Sequence, residues 1–152
     1  MRAVLDTNVL ARVVMSPGGP AAEVFDRICA DHVLVICAQM LTELSRVLSY
    51  ERVRRVHGLD DDAIEEFVDR IATGSLTIPL PHPLPRVVPT DADDDCVVAT
   101  AVAGQAEVLC TRNLKHLAHP DVVAYCRQHA IEIMDDLALL KRLRRSDEDE
   151  SG

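Results

Sequence analysis

Tryptophan is absent from the 152-residue chain, which has only two phenylalanines and two tyrosines. Proteins that bind RNA on a sheet surface stack bases on aromatic side chains, so such a platform is not expected here. Long apolar runs are also missing, because no segment approaches the roughly 18 consecutive apolar residues of a membrane span. No basic start followed by a long apolar stretch resembles a signal peptide. We therefore expect a soluble, cytoplasmic protein with no membrane partner.

The cysteines form no recognisable framework. Their number is odd and no two of them occur as a CxxC pair. Because most lie in apolar segments, we expect small buried hydrophobic residues in a reducing compartment, and neither a disulfide framework nor a zinc site. The five cysteines are Cys29, Cys37, Cys96, Cys110 and Cys126.

The net charge of −9 at first argues against a nucleic-acid partner. The acids are concentrated, however. Four of them occupy positions 147–150, and we expect residues 145–152 to form a disordered acidic tail. Six others are Asp6, Glu43 and the four acids of the run at 91–95, and without these two groups acids and bases nearly balance. The acidity is therefore not spread over the whole chain.

Short apolar runs alternate with segments of helical periodicity. Buried strands are predicted at residues 3–5, 33–36, 108–110 and 131–133. Helices are predicted at 8–15, 21–30, 39–49, 60–73, about 93–104, and from near 135 into 141–145. The proline-rich segments 16–20 and 79–89 are predicted as a loop and an extended connection. This alternation indicates one α/β domain over residues 1–144, with a central parallel sheet of four or five strands flanked by helices on both faces.

Acidic residues occur at two element boundaries. Asp6 follows the first strand directly, where ligands bind in an open parallel sheet, although an aspartate there can also be a helix N-cap. At about 100° per residue, Asp94 falls in the middle of an apolar helical arc, while Asp91 and Asp95 lie at its edge. A buried carboxylate is costly unless it is paired, and no lysine or arginine is near Asp94 in sequence. A metal cation is therefore an attractive partner, with a cap or a buried hydrogen bond as the alternative.

Glu43 flanks the apolar stripe of the helix at 39–49, a position that alone is typical of a boundary residue with a solvated head. Several carboxylates that converge on one crevice would need a hard cation such as Mg²⁺ or Mn²⁺. Such a site supports phosphodiester hydrolysis, because the metal activates a water and stabilises charge on the phosphate. No GxSxG, P-loop, GxGxxG or HExxH motif favours a different chemistry.

Five segments, in this order and spacing, carry a family resemblance that covers about residues 1–140. They are Leu5-Asp-Thr-Asn-Val-Leu10, Ser16-Pro-Gly-Gly-Pro20, Leu41-Thr-Glu-Leu44, Asp91-Ala-Asp-Asp-Asp95 with Val98-Ala-Thr-Ala101, and Leu109-Cys-Thr-Arg-Asn113. The chain thereby resembles the PIN-domain ribonucleases, the VapC-like toxins of bacterial toxin–antitoxin pairs. The resemblance implies a PIN-like fold and a Mg²⁺-dependent (or Mn²⁺-dependent) endoribonuclease. It also implies an RNA substrate, a cognate antitoxin and a homodimer.

The same resemblance assigns site residues. It implies that Asp6, Glu43 and Asp94 are catalytic metal ligands, with Asp91 and Asp95 as further acids near the metal. It implies supporting positions for three polar residues, which are Thr7, Asn8 and Thr111.

Asn113 and His116 stand where the family often has a fourth acid. Asn113 can still hydrogen-bond a metal-bound water, so we include it among the catalytic residues and expect one well-bound Mg²⁺. A second ion would be recruited only with substrate. The neutral Asn113 also leaves open a catalytically weakened PIN fold that binds RNA or a protein. A third alternative is a related metal-dependent DNA nuclease or phosphatase.

Basic residues suggest where an RNA backbone would run. Arg112 and Lys115, beside Asn113, are predicted phosphate contacts, and Arg54 and Arg55 belong to a second cluster with Arg52. A third cluster lies within residues 141–145. The alternative interpretation of the second and third clusters is that they are solvated helix ends.

Overall fold

The computed structural model describes residues 1–88 and 94–151. Five strands form one parallel sheet in the order β3-β2-β1-β4-β5. Their bounds are β1 (Arg2–Leu5), β2 (Val33–Ile36), β3 (Leu76–Thr77), β4 (Val108–Cys110) and β5 (Glu132–Met134). The strand order reverses at β1, because β2 lies on one side of it and β4 on the other. In open parallel sheets, ligands bind at the carboxyl ends of the strands beside such a switch point.

Helices connect the strands. They are α1 (Thr7–Met15), α2 (Pro20–Asp31), α3 (Ala38–Leu48), α4 (Glu51–His57), α5 (Asp61–Gly74), α6 (Asp94–Ala103), α7 (Leu114–Leu117), α8 (Pro120–Gln128) and α9 (Asp136–Ser151). The predicted α/β class and central parallel sheet are confirmed. Within residues 79–88, neither a helix nor a strand forms, as the prolines predict, and residue 89 lies outside the described part.

The sequence patterns missed four elements, β3, α4, α7 and α8. β3 has two residues and α7 has four, which is too short for a hydrophobic period to be recognised. α4 follows α3 after only two residues, so its seven residues escaped notice beside the longer pattern.

The buried helix α6 carries the acidic run into the sheet. Cys96, Val97, Val98 and Ala101 are all buried, so the helix contacts apolar surface on most sides. Gly104 directly follows α6 and lies against Val35 of β2. A Cβ atom at position 104 would lie 2.4 Å from Val35 Cγ1, which is too close for any residue except glycine. Because a crossover helix runs antiparallel to the strands it joins, the first turn of α6 lies at their carboxyl edge.

Residues 145–151 form the last turns of α9, where the charge pattern predicts a disordered tail. Two ion pairs connect this helix to α2. Arg144 Nη2 lies 2.6 Å from Glu23 Oε2 and lowers the pKa of that carboxyl group, and Arg27 pairs with Asp147. The charge pattern of the tail predicts disorder because it shows the acids alone. It cannot show that Arg27 of α2 pairs with Asp147.

Four of the five cysteines are buried, as predicted, and Cys29 is exposed. Burial raises the pKa of the Cys110 thiol, and it raises the pKa of Cys126 to about 11. Cys37 Sγ and Cys96 Sγ are 3.2 Å apart, so they connect the start of α3 to the first turn of α6. Within residues 1–88 and 94–151, no helix combines the length and apolar character that crossing a bilayer requires.

Candidate active site

Asp6 lies directly after β1 and is 5% exposed. Its backbone N–H donates to the Cys110 carbonyl at 2.8 Å, which fixes it beside the end of β4. Its Oδ1 accepts from the Thr7 N–H at 2.7 Å, so Asp6 is the N-cap of α1, as the alternative interpretation expected. Its Oδ2 accepts from Thr111 Oγ1 at 2.8 Å and from Asn8 Nδ2 at 3.4 Å. The capping role and the site role therefore use different oxygens of one carboxylate.

Thr111 and Asn113 connect Asp6 to Asp94. The fully buried Thr111 hydroxyl donates to Asp6 and accepts from the Asn113 N–H at 2.9 Å. Asn113 Nδ2 in turn donates to Asp94 Oδ2 at 3.0 Å. Asp94 is the first residue of α6 and is 8% exposed. A continuous set of hydrogen bonds thus joins two acids that are far apart in the sequence.

Glu43 reaches the same region from α3. It is half-buried, and its Oε2 accepts from Thr7 Oγ1 over a long 3.4 Å. Thr7 lies next to Asp6, so Glu43 is connected to the first turn of α1. We call this set the carboxylate network, and its members are Asp6, Thr7, Glu43, Asp94, Thr111 and Asn113.

Asp95 was expected near the metal, but its carboxylate contacts another part of the chain. Its Oδ1 accepts from the backbone N–H groups of Val87 and Val88, both at 2.7 Å. Arg86 Nε lies 2.9 Å from its Oδ2 in an ion pair that lacks hydrogen-bond alignment. The helical wheel places Asp95 at the edge of the apolar arc, but it could not show that residues 86–88 lie against its carboxylate. Asp91, the other acid expected beside the metal, lies outside the described residues.

Arg112 lies beside the carboxylate network and is held there. Its backbone N–H donates to Asn8 Oδ1 at 3.2 Å, and its Nη1 lies 3.1 and 3.3 Å from the two oxygens of Asp136. Asp136 is buried and is the first residue of α9. Sequence reasoning missed Asp136, although an acid close behind β5 is the same signal that identified Asp6.

The other predicted RNA contacts have different surroundings. Arg54 pairs with Asp61, and Arg55 pairs with Glu51 at 2.6 Å, so both belong to ion pairs within the chain. Lys115 is exposed on α7.

Arg52, the remaining arginine of α4, lines a surface groove of about 430 Å³. We call it the arginine groove. Its lining residues are Asn8, Ala11, Arg12, Met15, Val47, Arg52, Val53 and Arg112.

The carboxylate network offers only oxygen donors and amide or hydroxyl groups, a set that suits a hard cation. Among residues 1–88 and 94–151, no three histidine, cysteine, aspartate or glutamate side chains are grouped as a metal site. Mg²⁺ commonly takes only one or two carboxylates directly, with waters and substrate phosphates as its remaining ligands. The donors present therefore fit Mg²⁺ or Mn²⁺ held by few protein ligands.

Comparisons with known proteins agree with this architecture. The solved structures that resemble the chain include the following two, whose low identities show the fold alone. VapBC2 from Rickettsia felis, bound to a DNA fragment from its promoter, is 14% identical with a TM-score of 0.56, over 88% of this chain and 98% of that chain. PAE2754 from Pyrobaculum aerophilum is 18% identical with a TM-score of 0.59, over 95% of this chain and 90% of that chain. No curated protein matches the chain. The model of the PIN domain matches residues 2–115, which is most of the sequence, and the chain therefore belongs to the PIN-domain family.

Proposed function

We propose that the protein is a Mg²⁺-dependent or Mn²⁺-dependent endoribonuclease whose active site is the carboxylate network. PIN domains are generally nucleases, so family membership supports a hydrolase of nucleic acid. The observation that carries the proposal is the hydrogen-bonded connection from Asp6 through Thr111 and Asn113 to Asp94. It lies at the switch point of the sheet, where parallel α/β folds bind their ligands.

Asp6, Asp94 and Glu43 would hold the cation, and Asp91 remains a predicted additional ligand. A bound Mg²⁺ would activate a water and neutralise charge on the phosphate and the leaving oxygen. Thr111 fixes the orientation of Asp6, and Asn113 fixes that of Asp94, so the two carboxylates are preorganised. Because Asn113 is neutral, it adds no charge for a second ion, and the proposal has one resident ion.

Arg112 would bind a phosphate of the RNA. Its contacts with Asp136 use Nη1, which leaves further N–H donors of the guanidinium for an anion. The buried Asp136 orients the side chain. Lys115, exposed on the neighbouring α7, would add a second phosphate contact.

The direct test compares metal-dependent cleavage of a single-stranded RNA with cleavage of DNA of the same sequence. The wild-type protein should cut RNA with Mg²⁺ or Mn²⁺, lose that activity in EDTA, and leave the DNA intact. Preferred cleavage of DNA or of a small phosphate ester would support the related nuclease or phosphatase instead. RNA binding without any metal-dependent turnover would support the weakened PIN fold, which the neutral Asn113 favours.

The proposal extends to a toxin role in the cytoplasm, with a cognate antitoxin and a homodimer. The fold likeness to VapBC2 supports an antitoxin partner. Expression of the wild-type protein without its neighbouring gene should arrest growth, whereas the Asp94→Asn variant should not. Light scattering should give twice the 16.7 kDa chain mass for a homodimer. Normal growth with active wild-type protein would refute the toxin role but not the nuclease.

A further inference from the structure

We propose that the arginine groove binds the nucleotide adjacent to the scissile phosphate of a single-stranded RNA. The inference rests on the proposed function and specifies where its substrate continues beyond the metal. The groove begins at the carboxylate network, because Asn8 lines the groove and also donates to Asp6 Oδ2. Arg112 lines it too, and its backbone N–H donates to the Asn8 side chain. A strand with its scissile phosphate at Asp6 would therefore pass Asn8 and enter the groove.

The charge of the groove fits an anionic ligand. Arg12 comes from α1, Arg52 from α4, and Arg112 from the segment after β4, while none of the lining residues is acidic. Within the described part of the chain, neither Arg12 nor Arg52 makes an ion pair, whereas Arg54 and Arg55 each make one. Three cations thus converge on one groove of a chain whose net charge is −9. Guanidinium groups suit phosphate because they donate two parallel hydrogen bonds.

The floor of the groove is apolar. Four of its lining residues are apolar. Met15 of α1 and Val47 of α3 are half-buried, and Ala11 and Val53 are buried beneath the surface. Its volume of about 430 Å³ lies in the range that small ligands occupy. A nucleobase can contact this floor only when it is unpaired, so the ligand is single-stranded RNA and not a duplex. An acidic protein segment would match the arginines as well, but it would not explain the continuity with the carboxylate network.

The test measures binding without cleavage, in an Asp94→Asn background. A fluorescein-labelled eight-nucleotide RNA is titrated at several salt concentrations and its anisotropy recorded. Arg12→Gln and Arg52→Gln should each weaken binding by roughly three- to tenfold and lower the salt slope by about one. The matched control is Arg70→Gln, which removes the same charge at an exposed position of α5 outside the groove lining and should change binding less than about twofold.

Two further ligands separate the alternatives. An abasic nucleotide is moved along the RNA, and its effect on binding should be largest at one position. That dependence on position should vanish in Val47→Asp, at a half-buried position of the groove, and circular dichroism checks that this variant folds. The affinity for a duplex of the same sequence should be unchanged by Arg12→Gln. Equal losses from Arg12→Gln, Arg52→Gln and Arg70→Gln would overturn the proposal, because they would indicate a general charge effect. The proposal would also fail if Arg12→Gln and Arg52→Gln weakened the binding of an oligoglutamate peptide but not the binding of RNA.

Failure of this inference differs from failure of the proposed function. If the wild-type protein cleaves RNA but the arginine variants bind normally, only the groove assignment is wrong. If no cleavage occurs while binding still depends on Arg12 and Arg52, the groove binds RNA, but the nuclease proposal fails and with it the assignment of a neighbouring scissile phosphate.

Discussion

The first turn of α6 holds two adjacent aspartates that are almost equally buried but contact different regions. Asp94 is 8% exposed and accepts from the neutral amide of Asn113, at the edge of the sheet that Asp6 occupies. Asp95 is 2% exposed, accepts from two backbone N–H groups and lies beside the Arg86 guanidinium. The first contact joins α6 to the candidate active site, and the second fixes the proline-rich connection onto α6. Burial alone therefore does not distinguish the two carboxylates, whereas their hydrogen-bond partners do.

The largest effect is expected from Asp94→Asn, which should reduce RNA cleavage on the order of a thousandfold, because the substitution removes a charge that would bind the metal. The amide is nearly isosteric, so the urea midpoint should stay near the wild-type value. Cleavage rates and urea unfolding, measured on the same preparation, check both parts. Wild-type cleavage by this variant would contradict the assignment of Asp94 to the metal.

Asp95→Ala should instead lower the free energy of unfolding by about 2–4 kcal/mol, because the N–H groups of Val87 and Val88 lose their buried acceptor. Urea unfolding measures this loss, and cleavage at low temperature should remain close to wild type. Asp69→Ala, at an exposed position of α5, is the control for loss of one acid. If the Asp95→Ala variant were stable but inactive, Asp95 and not only Asp94 would have to be assigned to the metal site.

Asn113→Asp should introduce repulsion with Asp94 and destabilise the metal-free protein by about 1 kcal/mol. The added carboxylate should also lower the Mn²⁺ concentration needed for half-maximal cleavage, by about fivefold. Thermal unfolding with increasing Mn²⁺ measures both effects, since the ion should stabilise this variant more than the wild type. Asn113→Ala provides the control, because it removes the hydrogen bond without adding charge. An unchanged metal requirement would show that residue 113 does not face the ion.

Arg86→Gln should have the smallest effect, less than about 1 kcal/mol of unfolding free energy, because the Arg86 side chain is 68% exposed and its ion pair is screened by solvent. The two backbone donors would still hold Asp95. Urea unfolding at low and high salt measures the difference, which should shrink with salt. A loss as large as that of Asp95→Ala would mean that the ion pair, and not the backbone N–H groups, fixes the connection.

The residues predicted for the site and those that the structure brings together differ for physical reasons. Asp6 could be found because it follows a strongly apolar run, and Asp94 because it interrupts the apolar face of a helix. Asp136 was not singled out, although it too comes shortly after a strand, because nothing in its local sequence indicates the Arg112 contact. Arg54 and Arg55 carry the expected charge, but the acids that pair with them became known only from the structure.

The sequence by itself determined the α/β alternation and the position of Asp6 at the end of a central strand, because periodicity and strand ends depend on neighbouring residues. Only the tertiary structure decided that Thr111 donates to Asp6 across 105 positions, that Asp95 holds residues 86–88, and that three arginines line one groove. These arrangements depend on how distant segments pack. Side chains far apart in the sequence meet only after the sheet order and the helix positions have been established.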